Sequence, residues 1–274
     1  GTGTSFGLLN KKKAYSLVNF AIKSGITKFD TGINYGNWKS QPLLGASLHK
    51  HIKKEREKFQ LTSKAGTHNK GLFKYIKNFN PDYIESMIFT SISQLQCFYL
   101  DKFYLHCPTL EQLETKGLFE KLKDLKSKGL IKKIGVNTHD LKLMKKISLG
   151  SYSEIDAILI NFNLLEQNRA DIFNDCKKNN ISISCGNALF QGLLVQSTFD
   201  ILKKRNLFYI ARLIQKKSLR SNLNKAMFVR RYMKNNFKNE YKSIPLSFVL
   251  KNSYIDSVSV GMLNKKSIKR NILI

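Results

Sequence analysis

Short apolar runs rich in β-branched and aromatic residues alternate along the chain with longer amphipathic stretches rich in lysine. The short runs predict strands, and the longer stretches, whose apolar residues recur every three or four positions, predict helices. The predicted strands are residues 26–29, 59–62, 102–105, 131–136, 157–160, 181–184 and 257–260. The predicted helices are residues 12–23, 41–54, 83–95, 118–128, 140–146, 169–179 and 244–251. This regular alternation indicates a parallel sheet.

Residues 1–4, counted as what remains of a first strand, bring the number of strand–helix units to eight. The 274 residues then give about 34 residues per unit, which is normal for a closed barrel. Because no Gly/Ser-rich linker interrupts the chain, we predict one α/β domain over residues 1–274. The eight units favour a closed (β/α)8 TIM barrel over an open doubly wound sheet. Residues 198–241 are longer than one crossover needs and predict a helical elaboration around the seventh unit, which is either a solvated face or a nucleic-acid or partner surface.

The chain is strongly basic, with 47 Lys and Arg against 19 Asp and Glu and a net charge of +28. Such a charge raises the possibility of a nucleic-acid partner. The basic residues, however, lie in short scattered runs in a sequence rich in Lys, Asn and Ile, which favours compositional bias. We therefore expect no specific nucleic-acid partner, although the positive field should attract small anions.

The four cysteines, at positions 97, 107, 176 and 185, form no CxxC pair and have no zinc-like spacing with histidine. This indicates reduced structural thiols and no metal site. No apolar run reaches the roughly 18 residues of a membrane span, and residues 1–4 have neither the charged nor the apolar part of a signal peptide. These features predict a cytoplasmic protein without a membrane partner.

Ionisable side chains stand where the second, third and fourth predicted strands of the barrel end. They are Asp30, Lys64 and His106, and Tyr35 follows Asp30 by one short turn. Each alone has a structural explanation, such as a capping carboxylate, a solvated lysine or a packed histidine. Because barrel active sites lie at the carboxyl ends of the strands, the four together predict one catalytic site.

A series of short motifs surrounds these residues and continues towards the end of the chain. The motifs are Asp30-Thr31-Gly32-x-x-Tyr35-Gly36, Ser40-x-x-x-Leu44-Gly45, Thr62-Ser63-Lys64-x-Gly66, Asp101-x-x-Tyr104-Leu105-His106-x-Pro108, Ile134-Gly135-Val136, Asn163-Leu164-Leu165, Gln191-Gly192-Leu193-Leu194 and Val260-Gly261 with Asn271. In order and spacing the chain resembles the aldo-keto reductase superfamily over nearly its whole length.

The resemblance implies a (β/α)8 barrel that passes a hydride between a nicotinamide cofactor and a carbonyl or alcohol. Tyr35 would be the general acid that protonates the carbonyl oxygen. The Lys64 ammonium would lower the tyrosine pKa from about 10, and Asp30 would hold Lys64. His106 would hydrogen-bond and orient the carbonyl oxygen. The substrate would be a small aldehyde, ketone or sugar, and the oligomeric state stays open.

The resemblance also implies cofactor contacts, with Asn137 and Thr138 near the nicotinamide carboxamide. Leu159 stands where family members have a helping glutamine, and Gly186 stands where many have a stacking aromatic ring. Further implied contacts are Thr4, Asn187, Leu189, Gln191, Gly192, Gly261, Asn264, Lys265, Ser267 and Asn271. Local positive charge, from Lys265, Lys266 or Arg270, favours NADPH, with NADH as the alternative. The changes at Leu159 and Gly186 leave a second hypothesis open, a catalytically weak or inactive barrel with a binding or regulatory role.

Overall fold

The computed structural model describes residues 3, 5–70, 74–197, 217–261 and 263–274. In these residues seven strands form one parallel sheet in the order β1–β2–β5–β6–β7–β8–β9, and β3 and β4 form a separate antiparallel hairpin. The strands are β1 (Lys28–Asp30), β2 (Gln60–Ala65), β3 (Thr67–Lys70), β4 (Lys74–Lys77), β5 (Lys102–His106), β6 (Ile134–Asn137), β7 (Ala157–Asn161), β8 (Ser182–Gly186) and β9 (Ser257–Val258).

Helices connect successive strands of the sheet. They are α1 (Lys11–Lys23), α2 (Ser40–Glu55), α3 (Pro81–Leu95), α4 (Leu110–Leu113), α5 (Leu118–Ser127), α6 (Leu141–Ser148), α7 (Phe173–Lys178), α8 (Lys217–Phe237), α9 (Ile244–Leu250) and α10 (Lys265–Ile272). Asparagine or aspartate side chains cap several of them, including α1, α3 and α6, by accepting hydrogen bonds from free backbone N–H groups of the first turn. In the part of the chain described, no helix is long and apolar enough to cross a membrane.

The described strands confirm the parallel α/β architecture and seven of the eight predicted strands. The predicted strand at residues 1–4 lies outside the described residues except for Gly3, which belongs to no strand. The closed eight-stranded barrel therefore stays a prediction. Residues 217–241 are helical, but residues 198–216 lie outside the described part, so the predicted elaboration as a whole also stays a prediction. The β3–β4 hairpin and the short helix α4 were not predicted.

The sheet is strongly curled and separates an apolar outer face from a polar inner one. Alternate strand residues such as Phe103, Ile158 and Ile183 join the helices in the main hydrophobic cluster. On the inner face, the Tyr104 hydroxyl on β5 donates to Ser184 Oγ on β8 at 2.8 Å, although β6 and β7 lie between these strands. Only strong curvature brings side chains on β5 and β8 into contact, so the described sheet is curled rather than flat.

An aspartate directly before a strand fixes the start of the neighbouring strand at three places. Asp101 Oδ2 accepts a hydrogen bond from Leu61 N at 2.8 Å, and Asp156 Oδ2 accepts one from Ile134 N at 2.8 Å. Asp256 Oδ2 accepts one from Ile183 N at 2.7 Å. Each carboxylate satisfies an amide at the amino end of a strand and sets the register of the two strands.

Asp101 has a second function, because it also pairs with a buried guanidinium. Arg56, which is 6% exposed, donates to Asp101 Oδ2 at 2.8 Å and to the carbonyl oxygens of Phe59 and Tyr99 at 2.6 Å each. Its guanidinium also stacks 3.8 Å from the centroid of the Tyr99 ring. This arrangement ties the amino ends of β2 and β5 together.

We expect Asp101→Ala to destabilise the protein by about 3–5 kcal/mol, because it leaves the buried Arg56 charge without its partner. The matched control, Asp256→Ala, removes an equivalent strand-start hydrogen bond from an exposed residue and should cost about 1 kcal/mol. Urea unfolding of both variants measures the difference. If the two variants lose the same free energy of unfolding, the larger cost assigned to the buried ion pair of Arg56 and Asp101 is contradicted.

Candidate active site

The four predicted catalytic side chains meet at the carboxyl ends of neighbouring strands. Asp30 is the last residue of β1, Lys64 lies near the end of β2, and His106 ends β5. Tyr35 comes from the loop after β1, which is tied to β2 by a hydrogen bond from Ile33 N to the Lys64 carbonyl oxygen at 3.1 Å. The four residues therefore lie together at one end of the sheet and line one cleft.

Gly32 allows the close approach of Tyr35 to Lys64. A Cβ atom on Gly32 would lie 2.9 Å from Lys64 Cγ and 3.2 Å from two atoms of the Tyr35 ring. Any side chain here would push the lysine stem and the phenol ring apart. The glycine in the Asp-Thr-Gly motif thus has a steric reason in this site.

Lys64 is the charge at the centre of the site and is 1% exposed. Its Nζ donates to Asp30 Oδ2 at 2.8 Å and to the Thr31 carbonyl oxygen at 2.6 Å, and lies 5.1 Å from the centroid of the Tyr35 ring. Burial alone lowers the pKa of Lys64, but the Asp30 carboxylate and Tyr35 together raise it above its ordinary value. The lysine therefore stays protonated at neutral pH.

The pKa of Tyr35 differs from the sequence prediction. Burial raises the pKa of its phenol, and the Lys64 ammonium, the next largest influence, lowers it, as expected. Burial is the stronger effect, so the pKa lies above its ordinary 10.0 and the predicted net lowering is wrong for this structure. Tyr35 consequently keeps its proton at neutral pH, as a proton donor must.

His106 faces Tyr35 edge-on, with 6.0 Å between ring centroids and an interplanar angle of 80°. Burial and the Lys64 charge lower the pKa of its imidazole from 6.5 to about 4. Thr67 Oγ1 donates to the His106 backbone oxygen at 2.5 Å, which holds the end of β5 beside the β3–β4 hairpin. The imidazole is therefore neutral near pH 7. In this state one ring nitrogen is protonated and can donate a hydrogen bond.

These four side chains line an open cleft of about 510 Å³. The remaining wall is rich in polar groups, and it includes the predicted contact Asn137 and the two residues at which the family pattern departs, Leu159 and Gly186. Asn161 and His139 also line this cleft, and the sequence prediction included neither. Within the described residues, no group of three or more His, Cys, Asp or Glu is placed to hold a metal ion.

A second cleft of about 500 Å³ adjoins the first and contains six of the predicted cofactor residues. The two clefts share Gly3, Asn187, Gln191, Ser259 and Gly261. The six residues are Asn187, Leu189, Gln191, Gly192, Gly261 and Ser267. The structure therefore places these residues along one groove that leads from the catalytic side chains to the first turn of α10.

Arg270 also lines this second cleft, whereas Lys265 lies over the Phe20 ring at 5.6 Å and lines a different groove with Asn264. Burial lowers the pKa of Arg270 below its ordinary value, and the guanidinium remains charged at neutral pH. Of the basic residues considered near α10, Arg270 is thus the one the structure places beside Ser267.

Several predicted cofactor residues make contacts within the protein instead. Thr138 is 1% exposed and its Oγ1 accepts a hydrogen bond from Asp140 N at 3.1 Å. Asn264 caps α10 by accepting from Ser267 N at 2.8 Å, and Asn271 accepts from Arg270 Nε at 2.9 Å. None of these three lines the joined clefts. Thr4 lies outside the described residues.

Comparisons with known proteins agree with this geometry. The model of the "Aldo/keto reductase family" matches residues 1–274. An uncharacterized oxidoreductase of Bacillus subtilis, YqkF, is 25% identical over 191 residues, which cover 69% of this chain and 60% of that protein. D-threo-aldose 1-dehydrogenase of a Pseudomonas species is 25% identical over 217 residues, which cover 71% of this chain and 65% of that enzyme. The chain thus spans less than two thirds of the length of these relatives.

The fold is also similar to that of solved proteins. The holo form of the aldo-keto reductase AKR11C1 from Bacillus halodurans aligns with a TM-score of 0.77 and 18% identity, over 100% of this chain and 85% of that one. Glycerol dehydrogenase AKR11B4 from Gluconobacter oxydans aligns with a TM-score of 0.69 and 19% identity, over 94% and 79% of the two chains. Because the family model matches the whole sequence, the chain belongs to the aldo/keto reductase family.

Proposed function

We propose that this protein is an NAD(P)H-dependent oxidoreductase that reduces an aldehyde, ketone or sugar carbonyl, or oxidises the corresponding alcohol. The observation that carries the proposal is the meeting of Asp30, Tyr35, Lys64 and His106 in one cleft. A carbonyl oxygen that receives a hydride on its carbon develops negative charge and needs a proton and hydrogen-bond donors. The four side chains supply both, and the second cleft offers room for a dinucleotide.

The joined clefts fit such a cofactor. Among the described residues, nothing lies within 4 Å of a Cβ atom added at Gly261, and the atom nearest to one added at Gly186 is 3.7 Å away, so a flat ring can approach the backbone there. Asn187 and Gln191 line both clefts. Arg270 and Ser267 at the far end suit a phosphate, which supports NADPH as the cofactor and leaves NADH as the alternative.

The nicotinamide, when bound, supplies or accepts the hydride. Tyr35 donates the proton to the carbonyl oxygen as the general acid. The buried Lys64 ammonium stabilises the phenolate that remains, and Asp30 holds Lys64 in position through the bond at 2.8 Å. His106, neutral at pH 7, donates a hydrogen bond to the same oxygen and orients the carbonyl.

A second candidate function is a barrel that binds ligand without turnover. It is favoured by Leu159, which cannot hydrogen-bond a carboxamide, and by Gly186, which offers no ring for stacking. This candidate requires ligand retention without reduction of any carbonyl, whereas the first requires cofactor oxidation that depends on a carbonyl substrate.

We expect Tyr35→Phe to lower the rate of carbonyl reduction by about 10²–10⁴-fold, because the ring stays in place and the proton donor is lost. Cofactor affinity should change little, since Tyr35 lies at the catalytic end of the groove. Steady-state kinetics and a binding titration on the same preparations measure the two effects. Normal turnover in Tyr35→Phe would remove Tyr35 from the mechanism.

We also expect His106 to make stability depend on pH. Its folded pKa of about 4 lies below the unfolded value of 6.5, so the unfolded chain binds the proton more readily between these values. This contribution is fully present above about pH 6.5 and is lost as pH falls towards about 4. Urea unfolding at stepped pH should show a steeper loss for the native chain than for His106→Gln. Parallel curves would contradict the depressed pKa.

A further inference from the structure

Asn161 lies beside Gly186 on the wall of the catalytic cleft. It is the last residue of β7 and pairs with Gly186 on β8 in the sheet register. A Cβ atom added at Gly186 would lie 3.7 Å from Asn161 Oδ1 and 3.8 Å from Leu159 Cδ1. The carboxamide of Asn161 therefore borders the surface on which a flat ring would lie against the Gly186 backbone.

The other two asparagines of this cleft already use their amides within the protein. Asn137 Nδ2 donates to the Leu159 carbonyl oxygen at 2.9 Å, and Asn187 Oδ1 accepts from Gln191 N at 2.7 Å. Among the residues that the structure describes, none hydrogen-bonds the side chain of Asn161. A half-buried amide with two donors and an acceptor at the wall of a polar cleft is well placed for a ligand with the same groups.

The joined clefts determine which part of a dinucleotide would lie there. The groove begins at Ser267 and Arg270, passes Gln191 and Gly261, and ends at Tyr35. If the phosphate-rich half occupies the α10 end, the nicotinamide occupies the end that holds Asn161. The ring must also lie close to Tyr35, because the carbonyl it reduces is protonated there.

We propose that Asn161 binds the carboxamide of the nicotinamide through a pair of amide–amide hydrogen bonds, Nδ2 donating to its oxygen and Oδ1 accepting from its nitrogen. This inference rests on the proposed function. Leu159 and Asn161 lie two positions apart on one strand, so both face the cleft. Asn161 thus supplies the polar contact that Leu159 cannot make, from a position two residues nearer the carboxyl end of β7.

The experiment compares two ligands that differ only in the nicotinamide. Calorimetric Kd values are measured for NADPH and for ADP-ribose that carries the same 2′-phosphate but lacks the nicotinamide. We expect Asn161→Leu to weaken NADPH binding about tenfold or more, as two hydrogen bonds are lost, and to leave the fragment's Kd unchanged. Asn235→Leu, at an exposed position on α8, is the matched control and should change neither value.

A second variant tests the position by charge. Asn161→Asp keeps the size of the side chain and places a carboxylate beside the ring, which carries a positive charge only in the oxidised cofactor. We therefore expect the ratio of the Kd for NADPH to the Kd for NADP⁺ to be larger for Asn161→Asp than for the native chain. A general loss of structure would weaken both forms alike, so this ratio distinguishes a contact from a packing effect.

The outcomes separate this inference from the proposed function. If the native chain binds NADPH and Asn161→Leu binds it equally well, the role of Asn161 is overturned and the proposed function stands. If Asn161→Leu weakens NADPH and the fragment to the same degree, the nicotinamide contact is likewise overturned. If the native chain binds neither NADPH nor NADH, the proposed function itself fails.

Discussion

The buried ion pair of Lys64 and Asp30 is the interaction on which the site depends. An ammonium that is 1% exposed is stable only with a charged partner, and Asp30 Oδ2 lies 2.8 Å from it. The two residues come from adjacent strands, so the register of β1 with β2 sets their distance. Burial is the largest influence on the pKa values of Tyr35 and His106, and the Lys64 charge is the next largest. The Lys64 charge lowers the pKa of Tyr35, which burial raises. It also lowers the pKa of His106, which burial lowers as well.

The curled sheet explains how so polar a site is held. Its outer face is apolar and packs against helices, while its inner face bears hydroxyls and charges that hydrogen-bond one another, such as Tyr104 and Ser184. At the opposite end of the strands, aspartates 101, 156 and 256 fix the strand starts. One end of the sheet thus maintains the register, and the other end carries the side chains whose placement depends on it.

The residues proposed as catalytic could be found because their position follows from topology alone. A charged residue at the end of a predicted strand lies at the carboxyl end of the sheet whatever packs around it, and Asp30, Lys64 and His106 all line one cleft there. Helix and strand positions followed equally well from apolar periodicity. The β3–β4 hairpin, at Thr67–Lys70 and Lys74–Lys77, is polar and lysine-rich, so no such periodicity indicated it.

The sequence does not show properties that depend on neighbours in space. The pKa of Tyr35 depends on how completely its loop buries the ring, and the extent of this burial cannot be read from the sequence. Thr138 and Asn264 are of types that bind ligands, and in the structure their side-chain oxygens accept backbone hydrogen bonds at the starts of helices, from Asp140 N and Ser267 N. Asn161 was not among the predicted contacts, because the role proposed for it depends on its position beside Gly186 on the neighbouring strand.

The central claim, that the joined clefts hold a nicotinamide dinucleotide against Tyr35, is tested most directly by calorimetric titration of the purified protein with NADPH and NADH at moderate salt. The account predicts saturable binding to one site, with NADPH the tighter ligand because Arg270 and Ser267 line the far cleft. Absence of saturable binding of both dinucleotides would contradict it.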